Sequence, residues 1–264
     1  MMKQPVDPDD VEYDSWIAHN TTYIEETKRV LQEYVEHKSF DAVKERVIEQ
    51  NILNKNTNKY RKDVFREIAR RYIPREDEYV ETPLMHVLAS DVDDSVKEWV
   101  LYYEFSQNSL IHRLTIDFLY EKYTTGALLI QAPEIRAYIT ELGEDHPEIQ
   151  DWSQSTLEET STKYLSSLKN FGLLKGVQEK EFAVFYVPDE TIAYVCYRLY
   201  GSDAETVDEL VSHPDWRLFL FDEDEVRRRL QGISPRYVRY EKRGSTERIE
   251  PVFDDINEVI DDFE

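Results

Sequence analysis

HPEIQDWSQSTLEETSTKYLSSLKNFGLLKG, residues 146–176, holds the signals on which the fold turns. Pro147 suits the first position of one short helical turn that ends near Trp152. Ser155 and Glu158 stand three apart, as in a capping box, and predict the start of a longer helix. That helix turns Leu157, Ser161, Tyr164, Leu165 and Leu168 inward and stops at Gly172. Upstream, Pro133–Gly143 predicts a compact helix with Ile135, Tyr138, Ile139 and Leu142 on one face and Gly143 in the capping position. Downstream, Leu173–Gly176 and Phe182–Val187 flank a polar run, Gln178–Glu181, and predict a short β-hairpin. Asp189 then caps a helix through Tyr200, closed by Gly201. Helix, short turn, long capped helix and hairpin is the order of a winged helix-turn-helix. In that layout the long helix is the reader and the hairpin the wing.

The preceding half reads almost wholly as helix. Segments are predicted over 21–37, with Thr21 or Thr22 as cap, and from Ser39 onward with Val43, Val47 and Ile48 at helical spacing. An Asn-rich break over 51–58 separates them from a third helix, about Thr57–Ile73, which stops before Pro74. A fourth covers Pro83–Ala89. A fifth, Ser95–Phe105, is apolar on most sides (Val96, Trp99, Val100, Leu101, Tyr102, Phe105) and so is expected at the centre. A sixth runs from Ser109 to Tyr123 and ends at Gly126. Strand-like alternation is absent before residue 173. After Gly201 the spacing predicts a helix over Asp222–Leu230, a second hairpin (Tyr237–Tyr240 with Arg248–Phe253) and a terminal acidic helix over 254–263. The expected organisation is a flexible acidic leader (1–20), a helical bundle (21–126), a winged-helix domain (127–201) and a small α/β extension (202–264). The fold class is mainly α.

With 264 residues and 41% hydrophobic content, the chain can bury a core of its own. Its longest apolar runs, such as Ala127–Ile130 and Phe182–Val187, fall far short of the roughly 20 residues that span a bilayer. The first ten residues, MMKQPVDPDD, lack the apolar stretch of a signal peptide. No membrane association is expected, and the cytoplasm is the expected compartment. The single cysteine, Cys196, sits among Ile192, Val195 and Leu199 and reads as a small core residue.

Charge is unevenly placed. The formal net charge is −23, a surplus that fits a surface adapted to high salt. Residues 55–75 nevertheless carry Lys55, Lys59, Arg61, Lys62, Arg66, Arg70, Arg71 and Arg75 against Asp63 and Glu67. Residues 227–248 carry Arg227, Arg228, Arg229, Arg236, Arg239, Lys242, Arg243 and Arg248 against Glu241 and Glu247. Each island is +6 and the remaining 221 residues are −35. Such segregation speaks of partners. On the third helix, Lys59, Lys62, Arg66 and Arg70 share an arc of roughly 80° at 100° per residue. Aligned cations repel, and a phosphate backbone would relieve that cost; so would the chain's own carboxylates. In the second island the Arg triplet ends a helix, where positive charge is favoured anyway. The remaining cations would make the hairpin a basic finger or a charged edge that discourages aggregation. The reader helix offers Lys163, Ser166, Lys169 and Asn170, and the wing Lys175 and Lys180, as contacts to phosphate and base edges. Glu158 and Glu159 in the first turn oppose such contact.

Enzyme signatures are missing. Seven glycines make neither GxGxxG nor a Walker loop. The six histidines show no metal-ligand spacing. Pro8-Asp9 with Glu26-Thr27-Lys28 mimics a nuclease string, but not on paired strands. No catalysis, metal or small-molecule cofactor is expected.

Three segments resemble one family. Asn51-Ile52-Leu53-Asn54-Lys55-Asn56-Thr57, followed by Arg61, looks like its Asn-x-Leu-x-Lys-x-Ser/Thr stretch before a basic helix. Trp99 through Phe118, with Asn108-Ser109-Leu110, resembles its next helical pair. Pro147 through Thr156, continuing to Leu174, is similar to its Pro-Glu-Val-x-x-Trp-Ser-x-Ser-Thr block ending in Gly-Leu-Leu. The family is BrxA, a component of the BREX bacteriophage-exclusion systems of bacteria and archaea, and the resemblance covers roughly residues 20–200. It implies a non-catalytic protein with a NusB-like helical domain and a winged helix, binding double-stranded DNA and working with other BREX components. This chain is more acidic than the usual member and carries about 60 further residues at its end. The alternatives are a protein–protein adaptor without DNA contact, and RNA binding through the NusB-like bundle.

Overall fold

Local chemistry sets most helix ends. Ser39 caps α2 (Phe40–Ile48) by accepting from the Ala42 N–H, and Thr57 caps α3 (Asn58–Tyr72) by accepting from Tyr60 N–H at 3.2 Å. The break between them uses its asparagines: Asn51 and Asn54 adopt positive φ (56° and 52°), which Asn tolerates better than most residues. Ile73 is extended, as the residue before Pro74 must be. The computed structural model describes residues 12–19, 22–74, 78–200, 204, 206–244 and 246–263. Thr21, Arg75, Gly201 and the Pro8-Asp9 pair lie outside them.

The chain is mainly helical, with two small antiparallel sheets in its second half. A 3-10 turn (Trp16–His19) precedes α1 (Ile24–His37), α2 and α3. After them come α4 (Pro83–Ala89) and α5 (Asp94–Phe105), then α6 (Ser109–Arg113), which passes through a π-helical stretch (Leu114–Leu119) into α7 (Tyr120–Thr124). The middle holds α8 (Ala132–Leu142), α9 (Pro147–Gln150), α10 (Gln154–Asn170), the strands β1 (Leu174–Lys175) and β2 (Glu181–Phe182), and α11 (Asp189–Leu199). The end holds α12 (Val207–Ser212), a 3-10 helix (Pro214–Phe219), α13 (Glu223–Gly232), β3 (Val238–Arg243), β4 (Thr246–Pro251) and α14 (Ile256–Asp261).

Several expectations need correction. Ser153, not Ser155, caps α10: its Oγ accepts from Thr156 N–H at 3.1 Å. Glu158 instead takes Arg136 at 3.1 Å. The wing is shorter than 173–187, with two residues per strand and the register Leu174↔Phe182. Gly176 is required at its tip, because φ is +101° and a Cβ would lie 2.2 Å from the Glu179 carbonyl oxygen. A third segment pairs with the wing through two hydrogen bonds between Ile130 and Lys180. Residues 12–19, assigned to a flexible leader, are packed: Tyr13 and Ile17 are buried, and Tyr13 N–H donates to Glu148 Oε1 at 3.0 Å. Apolar burial overrides the acidity around them.

The buried apolar side chains form one continuous cluster from Tyr13 to Phe263. It takes in described residues from before 126, from 127–200 and from 204 onward. The extension is part of this core, with α14 against α4 and α11, and the 214–219 helix against the π-helical stretch. Tyr102 Oη donates to the Leu218 carbonyl at 2.8 Å. Next to it, buried Asp215 accepts from Tyr103 Oη at 2.7 Å and Gln107 Nε2 at 3.3 Å, and meets His112 Nε2 at 2.8 Å.

Burial alone would raise the Asp215 carboxyl, but the hydrogen bond and charge from His112, with His213 beside it, hold it below the ordinary carboxylate range. A depressed folded value contributes stability above the unfolded value of about 4, and that contribution is lost as pH falls through the folded value. Asp215→Ala should lower the unfolding free energy at pH 7 by about 3 kcal/mol. Urea denaturation across pH checks this; the difference from wild type should shrink below about pH 4.

Candidate nucleic-acid interface

The amphipathic spacing of α3 decides which of its cations face solvent. Val64, Phe65, Ile68 and Ala69 are buried, while Lys59, Lys62, Arg66 and Arg70 are exposed, as the 80° arc requires. The stripe is not uniform. Arg66 reaches Asp63 at 3.1 Å and Glu67 at 3.4 Å, and Arg70 reaches Glu67 at 3.3 Å. Burial would raise Glu67, but hydrogen bonds from Trp16, Arg70 and Arg66 hold it below its ordinary value. Among the described residues, no carboxylate lies within ion-pairing distance of Lys59, Arg61 or Lys62, and the half-buried Arg61 Nε has no hydrogen-bond partner. The stripe's cations without an ion-pair partner therefore lie in the amino half of α3. Lys55, just before it, is paired with Glu26.

Arg71 does not belong to that surface. Its guanidinium lies 3.6 Å from the Trp16 ring centroid and 5.9 Å from that of Phe105. Burial pushes it below its ordinary value, yet a guanidinium stays charged. The stacking holds the 3-10 turn against α3, a structural role. Tyr13, Trp16 and Ile17 at i, i+3 and i+4 were the signal for this packing, hidden by the acidic residues around them.

The second island is neutralised at short range. Arg227 meets Glu247 at 3.1 Å and Glu223 at 3.2 Å; Arg228 and Arg229 share Glu225 at 2.6 and 2.7 Å. Arg236 pairs with Asp262 at 2.9 Å, Lys242 with Glu247 at 2.5 Å, and Arg243 with Glu241 at 3.2 Å. Arg248 takes Glu250 at 2.5 Å, and Arg239 stands opposite Glu250 in the ladder. The expected basic finger is a salt-bridged ribbon.

The reader and wing residues fall into two groups. Lys180 is buried and donates to the carbonyls of Val177 and Gly176, so it braces its own turn. Burial and nearby Lys169 push its ammonium down. Lys175 pairs with Glu181 at 3.4 Å, Ser166 Oγ donates to the Thr162 carbonyl at 2.8 Å, and Asn170 Nδ2 donates to Thr22 Oγ1 at 2.9 Å. Lys163 and Lys169 have no carboxylate within ion-pairing distance among the described residues. The Asn170 bond has a further consequence. Thr22 precedes Tyr23, whose ring meets Tyr60 of α3 at 6.4 Å. The carboxyl end of α10 and the amino end of α3, about 100 residues apart in sequence, thus flank the same short segment.

Glu33, Glu36 and His37 bring possible metal-ligand atoms together, but Glu33 is already engaged by Arg29 at 2.7 Å and by Arg46. Cys196 is buried, and burial pushes its thiol up to about 12, far from a reactive thiolate. Among the described residues no helix is long and apolar enough to cross a membrane.

No curated protein matches the chain. A family model described as BrxA matches residues 11–198, from before the 3-10 turn that packs on α10 into α11. The match takes in α3, α10 and the short wing, leaving the salt-bridged ribbon outside. With that match covering residues 11–198, well over half of the sequence, the chain belongs to the BrxA family.

Proposed function

We propose that the chain is a non-catalytic, double-stranded DNA-binding accessory protein of a BREX phage-defence system. Membership of the BrxA family supports the defence role. One observation carries the DNA contact. Lys59, Arg61 and Lys62 lack carboxylate partners among the described residues, in a chain with 55 acidic side chains. On this reading α8, α9, α10 and the β1–β2 wing form a winged helix in a NusB-like setting. The duplex lies along the amino half of α3 and the carboxyl half of α10, where Lys163 and Lys169 are available. Glu158 and Glu159 at the other end of α10 keep phosphates away from that end. The ribbon over 238–251 takes no part.

A second reading, an adaptor without DNA contact, rests on apolar side chains left in solvent around the wing. Leu128 is 85% exposed, Val177 83%, and Val184 fully.

A titration with duplex DNA at a series of salt concentrations tests the proposal. Log affinity should fall linearly with log salt, and Lys59→Ala with Lys62→Ala should reduce the slope by roughly 2. Lys242→Ala with Arg243→Ala should leave it unchanged. No measurable duplex affinity at low salt overturns the DNA reading, and co-purification with other defence proteins then supports the adaptor. Arg71→Ala separates packing from recognition: it should lower stability by about 2 kcal/mol, read by thermal unfolding, whereas Lys59→Ala should leave the midpoint in place.

A further inference from the structure

Between α2 and α3 lies a groove of about 980 Å³ whose chemistry differs from that of a phosphate site. Its floor is apolar, made by Ile48, Phe65, Ala69 and Ile73. Its rim is cationic, made by Lys44, Lys62, Arg66 and Arg70. Phe40, the first residue of α2, extends the floor outward. Its ring lies 5.3 Å from that of Phe65, yet it stays 43% exposed. A capped helix start has no need of an exposed phenyl ring, and Ser39 already supplies the cap. Among the described residues Lys44 and Lys62 have no carboxylate within ion-pairing distance.

We propose that this groove is the docking site for an acidic amphipathic helix of a partner protein. An apolar channel between two helices fits side chains at i, i+3 or i+4 and i+7 of a third helix. Lys44 and Lys62, the two rim cations without a carboxylate partner among the described residues, fit Asp and Glu flanking those anchors on a chain of net charge −23. A second copy of this acidic chain is disfavoured by overall repulsion. Single-stranded nucleic acid fits less well, because successive bases stack on successive exposed rings and, of the aromatic residues lining the groove, Tyr34 and Phe65 are buried and only Phe40 is exposed. The inference goes beyond DNA binding and does not rest on it: Lys62 is common to both surfaces, but Phe40 and Lys44 lie off the α3 stripe, while Lys59 and Arg61 do not line the groove.

The test is selection of binders to the full chain from a displayed library of random 16-residue peptides. Synthetic copies of the enriched peptides are then measured by fluorescence anisotropy. Enriched sequences should be acidic, with apolar residues at helical spacing. Phe40→Ser and, separately, Lys44→Glu should each weaken binding at least tenfold. Lys44→Glu keeps the test informative if the Phe40 variant folds poorly. Phe40→Ser should leave duplex affinity unchanged, and Lys59→Ala should leave peptide affinity unchanged, so the two readings fail separately. Peptides without acidic enrichment, or acidic peptides that bind both groove variants at wild-type strength, overturn the proposal. So does an oligothymidylate whose binding depends on Phe40, which assigns the groove to bases.

Discussion

A helix that is apolar on most sides has to be covered on those sides, and α5 imposes that constraint on this chain. Trp99 meets Phe185 at 5.2 Å and Phe219 at 5.9 Å, and Tyr102 meets Phe171 at 5.3 Å. α1, α4 and α11 close the remaining sides. Each large side chain buried in this way contributes about 2–3 kcal/mol. The cover is drawn from the amino-terminal helices, the wing segment and the tail alike. Three stretches that look separable in sequence are therefore tied to one another through a single helix, and α10 and α3 take fixed places around it.

Once the backbone is fixed, the large excess of carboxylates decides which cations stay free. In α13 the partners are written into the helix: Glu223 and Glu225 stand three or four residues before Arg227, Arg228 and Arg229. In the ribbon the ladder sets Lys242 opposite Glu247 and Glu241 opposite Arg248. The amino half of α3 has no such supply. Lys62 and Arg61 have no acidic residue three or four positions away, and Asp63, four after Lys59, is held by Arg66. Equal island charges thus end in opposite electrostatics, because local spacing sets the distance over which each charge is cancelled.

The same distinction explains what was legible in the sequence. Properties carried by neighbours along the chain could be read: the bounds of α3 between Thr57 and Pro74, the span of α4, the buried faces of α10, the central place of α5 and the hairpin of the ribbon. Family membership was legible from short blocks, Trp152-Ser153-Gln154-Ser155-Thr156 above all. Long-range contacts were not. Arg71 meets Trp16 across 55 residues, and Arg236 meets Asp262 across 26. With Ser153 and Ser155 two residues apart, both able to cap, only the path of the chain selects Ser153. The placing of α10 and α3 beside one segment rests on Asn170 meeting Thr22 and Tyr60 meeting Tyr23, and no periodicity encodes that.

The acidic remainder of the surface bears directly on the proposed DNA contact. A phosphate backbone is repelled over most approaches, and at physiological ionic strength that repulsion acts over about 8 Å. The duplex then gains only where unpaired cations come within contact distance, which restricts it to one face. A protein with uniformly scattered lysines would bind in many orientations; one with a negative exterior and few open cations binds in few. On the proposed DNA-binding reading, the carboxylate excess supplies the penalty that orients the duplex on a small group of lysines and an arginine.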